Sequence, residues 1–167
     1  MVIKPLNEGS SVNVFICTKS NFYKNLFKLK EYDQILIERY IHGREIQVAI
    51  LENKVLGAIE LRPTRKFYDY QAKYNPKAKT EHIIPVEISK RKYQELTKIA
   101  LKAHKILNCR GVTRSDFRYH KNSFYLLETN TQPGMTSLSL VPEIANFNNI
   151  TFKNLIKKIL KDASIKK

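Results

Sequence analysis

The chain has 167 residues, 43% of them hydrophobic, and carries 30 Lys and Arg against 15 Asp and Glu, a formal charge of +15. That length allows one domain with its own core, and no repeat or low-complexity tract interrupts it. No apolar run approaches the roughly 18 residues of a membrane span, and "MVIKPLNEGSS" lacks the basic-then-apolar layout of a signal peptide, so no membrane partner and a cytoplasmic location are expected.

The N-terminal "IKPLNEGSSVNV" places a lysine at the end of a strand before a Gly-Ser-Ser turn, whose amides and hydroxyls suit an anion, although the order of a Walker loop is absent. Ser20 to Tyr32 carries Phe22, Tyr23, Leu26 and Phe27 at helical spacing, and Ile35 to Ile41 alternates as a strand. Glu45 to Leu51 and Val55 to Leu61 form a hairpin around "ENK". The Tyr-rich stretch "RPTRKFYDYQAKYNPKAKT" has no period, which for a loop of this length points to a lid or binding loop. Residues 90 to 107 put Tyr93, Leu96, Ala100, Ala103 and Leu107 on one helix face, and "TFKNLIKKILKDA" does the same with Phe152, Leu155, Ile156, Ile159 and Leu160. Both stripes are read as core. Cys17 and Cys109 form no pairing or zinc pattern and read as reduced, buried thiols. The lysines are scattered over the predicted helix faces and form no aromatic-studded stripe, so nucleic acid is not an expected partner.

The chemistry concentrates in a second hairpin, "GVTRSDFRYHKNSFYLLETN". Val112 to Arg118 is strand-like, and Lys121-Asn122-Ser123 forms a short loop with Asn at a position of positive φ. Centring the turn on Asn122 sets Asp116 opposite Glu128, with Arg114 and Asn130 two residues further on. Strict alternation then puts Phe124, Leu126, Glu128 and Asn130 on one face, apolar at first and polar at its end. Hard oxygen ligands of this kind suit Mg²⁺ with a nucleotide, and a surface salt bridge among Arg114, Asp116 and Glu128 is the competing reading.

The ordered motifs "KPLNEGSSV" (4 to 12), "ILIERYIHGREIQVAIL" (35 to 51), "FYDYQAKY" (67 to 74), "GVTRSDF" (111 to 117) and "LLETNTQPGMTSLSLVP" (126 to 142) resemble the D-alanine–D-alanine ligases of the ATP-grasp superfamily over nearly the whole chain. The resemblance implies an α+β fold, an ATP-grasp C-terminal half with an antiparallel sheet flanked by helices, and one partial domain over residues 1 to 167. It implies ATP as cosubstrate and two Mg²⁺ or Mn²⁺ ions held by Asp116, Glu128 and Asn130, with Glu128 bridging. Lys4 and Lys73 match phosphate contacts, Glu38 the adenine contact and Glu45 the ribose contact. Tyr74 matches the residue that closes a mobile loop near Ser10. Arg114, the Gly134 amide and Ser139 match the groups that hold the oxyanion and the second D-alanine. The implied reaction makes D-alanyl-D-alanine for peptidoglycan through an acyl phosphate.

Four positions depart from the family's usual residues: Asn13 stands where glycine is common, and Ser115, Thr129 and Gln132 stand where small or apolar residues are usual. None is a ligand. Family members carry an N-terminal domain ahead of the lysine motif, so the chain reads as a C-terminal portion from a split gene, a remnant or a truncated sequence. On that reading it has little activity alone and takes a separate N-terminal half or a homodimer partner. Another ATP-grasp carboxylate–amine ligase and an inactive nucleotide-binding remnant are the alternatives.

Overall fold

The computed structural model describes residues 1–9, 11–62 and 80–163. The chain divides into two compact units, one built on Met1–Ile41 and the other on His42–Arg62 and the chain from Glu81 onward.

The first unit is a three-stranded antiparallel sheet in the order β2-β1-β3, with β1 at Val2–Pro5, β2 at Phe15–Ile16 and β3 at Ile35–Glu38. One helix, α1, spans Phe22–Phe27. It is shorter than the predicted Ser20 to Tyr32, because beyond Phe27 the amides of Lys28, Leu29, Lys30 and Tyr32 bond to carbonyls three residues back, not four. That tightening is common at helix ends, and here it accompanies burial of Leu29 with Ile3 and Cys17 in a small core. The strand expected at Ile35 to Ile41 ends at Glu38, whose register partner Val2 is the first residue of β1.

The second unit is a five-stranded antiparallel sheet in the order β6-β5-β4-β7-β8, comprising β4 (Arg44–Leu51), β5 (Lys54–Arg62), β6 (Glu81–Ile83), β7 (Val112–His120) and β8 (Ser123–Asn130). Both long hairpins turn on two residues at positive φ, Glu52-Asn53 and Lys121-Asn122. This is the conformation whose twist matches the flanking strands.

Helices cover both faces of this sheet. Helix α2 (Lys90–Ile106) is capped by Ser89, whose hydroxyl accepts from the Lys92 amide, and it buries Leu96, Thr97, Ala100 and His104. Leu96 and Ala100 pack with Ile46, Val48, Ile50, Ala58 and Phe117, which defines the core face of the sheet. On the opposite face, α3 (Leu140–Phe147) approaches β5 so closely that a β-carbon on Gly57 would stand 2.7 Å from Ile144 Cγ2. Helix α4 (Phe152–Asp162), capped by Thr151, buries Leu155. The apolar stripes of α2 and α4 are core only in part, since Leu107, Phe152 and Leu160, which lie at or near the helix ends, are exposed. Cys17 is buried as expected, and Cys109 is half-buried. Among the described residues no helix is long and apolar enough to cross a membrane.

Candidate active site

The β7–β8 ladder pairs Asp116 with Glu128 and Arg114 with Asn130. The expected register is therefore present, but it is reached by a different route. The turn holds two residues and pairs His120 with Ser123, which on its own would set Leu127 opposite Asp116. A bulge shifts the register between Asp116 and Phe117, leaving Leu127 without a partner and bringing Glu128 into line.

The bulge also corrects the reading of the faces. Leu126 pairs with Phe117 and Phe124 with Tyr119, so both belong to the core face, where Phe124 stacks on Tyr119 at 4.6 Å between ring centroids. Glu128 and Asn130 belong to the opposite face with Asp116 and Arg114. Strict alternation over Phe124, Leu126, Glu128 and Asn130 does not hold.

On that face the groups engage one another closely. Arg114 donates from Nε to Asp116 Oδ1 at 2.7 Å and from Nη2 to Oδ2 at 2.9 Å, a bidentate ion pair on largely buried side chains. Asn130 Nδ2 donates to Glu128 Oε1 at 3.1 Å, which orients that carboxylate and leaves the side-chain carbonyl as the acceptor end of Asn130. Glu45 lies on the same face of β4 as a register partner of Arg118, and the two pair at 3.0 Å with 12% of each side chain exposed. Arg118 also donates to the Gly43 carbonyl at 3.1 Å.

Arg118 and Gln47 were missed by sequence reasoning. Both carried a period-two signal: Arg118 is two residues past Asp116 on β7, and Gln47 two past Glu45 on β4, opposite Asp116.

Beyond Asn130, a loop leads to Ser139, the N-cap of α3. The Ser139 hydroxyl accepts from the Thr136 amide at 2.9 Å and bonds the Thr136 hydroxyl at 2.9 Å. A β-carbon on Gly134 would sit 2.9 Å from Ser139 Oγ, so a larger residue there would press that hydroxyl away from its bonds to Thr136. Gly134 and Ser139 are thus brought together as neighbours.

In the first unit, Lys4 and Glu38 form a salt bridge at 2.8 Å, so two expected nucleotide contacts meet each other. Ser10, Lys73 and Tyr74 lie outside the described residues, as does the lid expected within residues 63–79.

Three of the four unusual residues have local explanations. Asn13 sits at φ 54°, in the left-handed region that glycine enters most readily and asparagine next, and its amide donates to the Tyr32 hydroxyl at 2.7 Å. Ser115 and Thr129 are register partners on the core face, and their hydroxyls bond at 2.9 Å. These two departures compensate each other. Nothing in the structure explains Gln132.

Two carboxylates and an amide oxygen on one sheet face are hard donors that suit Mg²⁺ or Mn²⁺. Among the described residues no three His, Cys, Asp or Glu side chains cluster, so the set depends on Asn130 as its third member. The residues fit the ion if Arg114 yields one oxygen of Asp116.

The fold is α+β, antiparallel sheets with packed helices, and it is the fold of solved ATP-grasp ligases. The crystal structure of D-alanine–D-alanine ligase from Bacillus anthracis matches with a TM-score of 0.83 at 32% identity, covering 96% of this chain and 53% of that one. A second crystal structure of that ligase, complexed with ATP, matches with a TM-score of 0.80 at 28% identity, covering 96% and 51%. In sequence, the D-alanine–D-alanine ligase of Pelagibacter ubique (strain HTCC1062) is 65% identical over 99% of this chain and 54% of its own length. Residues 1–161 match the family described as D-ala D-ala ligase C-terminus, and the chain belongs to that family. It spans about half the length of the curated relatives it matches.

Proposed function

We propose that this chain supplies the metal-holding and substrate-holding part of an ATP-dependent ligase that joins two D-alanines into D-alanyl-D-alanine for peptidoglycan, acting in the cytoplasm as one partial ATP-grasp domain. The observation that carries the reading is the register of β7 and β8, which lines up Asp116 with Glu128 and Arg114 with Asn130 on one face, in a chain of this family. In the reaction the γ-phosphoryl group of ATP passes to a carboxylate oxygen of the first D-alanine and ADP leaves. The amine of the second D-alanine then attacks the acyl carbon, loses a proton, and inorganic phosphate departs as the C–O bond breaks.

Asp116, Glu128 and Asn130 would hold two divalent ions, Mg²⁺ or Mn²⁺, which when bound would offset the charge of the phosphates. The protein's own part is positioning. Arg114 exchanges one of its two bonds to Asp116 for the oxyanion that develops on the acyl carbon, where a fixed donor acts most strongly. The Gly134 amide and the Ser139 hydroxyl, the latter fixed by Thr136, receive the second D-alanine. Lys4 and Lys73 meet the phosphates, while Glu38 and Glu45 accept from the adenine amino group and the ribose hydroxyls. Tyr74 and Ser10 close the loop that keeps water from the acyl phosphate. A separate N-terminal half or a homodimer partner completes the enzyme.

The test is a fusion of the N-terminal half of the Pelagibacter ubique relative to residues 1–167. The fusion should release ADP and phosphate in a D-alanine-dependent manner, and Glu128→Gln should slow it by roughly 10²-fold or more with the circular dichroism spectrum unchanged. Turnover indifferent to D-alanine, or an E128Q fusion as fast as its parent, would sink the reading.

A further inference from the structure

Gln47 is a polar residue of the site face with no function so far. It sits in the middle of β4, with Asp116 as its register partner on one side and Ile59 on the other, and it is 1% exposed. Its Oε1 is buried and has no hydrogen-bond partner. Register partners on one face bring their β-carbons to within about 5 Å, so Gln47 and Asp116 are direct neighbours on this face.

A buried acceptor without a donor costs the folded state free energy, whereas an apolar side chain of the same size would cost nothing there. The neighbouring donors are directed elsewhere: Arg114 to Asp116, Asn130 to Glu128, and Arg118 to Glu45 and Gly43. The missing donor therefore arrives with whatever binds this face. Water in the shell of a divalent cation is a strong donor, and Mg²⁺ keeps several such waters when only a few carboxylates hold it.

We infer that Gln47 is a positioning residue whose side-chain carbonyl accepts a hydrogen bond from a water on the divalent ion held at Asp116. The inference rests on reading Asp116 and Glu128 as metal ligands. It gives the orphaned acceptor a partner in the bound state and explains why a polar group occupies an otherwise closed position. Partners beyond the direct ligands typically change metal affinity by about 10–100-fold.

The experiment titrates Mn²⁺ in the presence of ADP into the fusion of residues 1–167 to the N-terminal half of the Pelagibacter ubique relative, following free Mn²⁺ by electron paramagnetic resonance, and records the melting temperature of the metal-free protein. Gln47→Met should raise the Kd for Mn²⁺ by about 10–100-fold while leaving the metal-free melting temperature equal or higher. Gln47→Glu keeps an acceptor and should bind Mn²⁺ as tightly as the parent or tighter. Parental affinity in a folded Q47M protein, or lost affinity in a folded Q47E protein, would overturn the inference. Asp116→Asn separates the two levels: an unchanged Kd there, or no Mn²⁺ binding by the parent fusion, removes the metal-ligand reading itself, whereas weakened binding by D116N with a silent Q47M removes the role of Gln47 alone.

Discussion

Two of the buried ionisable side chains, Glu60 and His104, make stability depend on acid. Glu60 is 0% exposed and is held by Arg44 and Arg62, both of which reach its two oxygens. Burial alone would push its carboxyl up, but the hydrogen bonds from the two arginines outweigh it and hold the group below its ordinary value of 4.5. Its stabilisation is thus present above that value and is lost as pH falls through the lower folded value. His104 is 0% exposed on α2, with Nδ1 bonded to the Thr113 hydroxyl at 2.8 Å and Nε2 without a partner. Burial, and then the charge of Lys105, lower its value below the ordinary 6.5. Below that pH the unfolded chain binds a proton that the folded chain does not, so stability rises with pH through this window and falls on acidification. Urea midpoints should therefore decline between pH 7.5 and 5 in the parent, and His104→Gln, which can still bond Thr113, should flatten that decline. A parent whose midpoint is level over this range would show that His104 does not govern it.

The hairpins show how much of the architecture could be read in advance. "ENK" and "HKNS" announced both turns, because asparagine tolerates positive φ and the flanking residues alternate. Asp116 and Glu128 were matched correctly because a turn one residue shorter than expected was offset by the bulge at Leu127, which no local pattern specifies. That is why the pairing was legible while the face of Phe124 and Leu126 was not. The three-residue β6 exists through its ladder to β5, so its own residues carried little signal. Helix α3 was overlooked despite its cues, Ser139 at the N-cap with Pro142 and Glu143 in the first turn. Both turns also place a long charged residue in the left-handed region, Glu52 at φ 51° and Lys121 at φ 46°. Such residues pay a steric penalty that asparagine reduces by local hydrogen bonding. Lys121→Asn and Glu52→Asn should each raise stability by about 0.5 kcal/mol, since the exposed pair of Glu52 with Lys158 contributes little. Lys121→Val should lower it by about 1 kcal/mol or more, because branching at the β-carbon worsens the same clash. Unfolding midpoints in urea rank the three, and a valine variant as stable as the parent would mean that the turn does not hold this conformation in solution.

Charge acts on the protein as a sum. The excess of cations is concentrated on helices: α2 carries Lys90, Arg91, Lys92, Lys98, Lys102 and Lys105 against Glu95, and α4 carries Lys153, Lys157, Lys158 and Lys161 against Asp162. Lys90, Arg91 and Lys92 stand at the positive end of the α2 dipole, where acidic residues are favoured. Repulsion among these exposed groups lowers stability and is screened by salt, because the Debye length shrinks from about 30 Å at 10 mM to about 8 Å at 0.15 M. The attractive pairs are better protected. Glu45 with Arg118, Asp116 with Arg114 and Glu60 with Arg44 lie largely within the fold, where added ions reach them poorly. Screening therefore removes more repulsion than attraction, the opposite of the usual expectation for a protein laced with surface salt bridges. Raising NaCl from 10 mM to 0.15 M should increase the melting temperature by roughly 2–4 °C, which corresponds to about 1 kcal/mol for a chain of this size. Neutralising two of the exposed lysines of α2, as Lys98→Gln with Lys102→Gln, should raise the low-salt melting temperature and reduce its dependence on salt. A melting temperature that falls as NaCl is added would show that attractive pairs dominate, and that the charge of +15 is spread widely enough to cost the fold little.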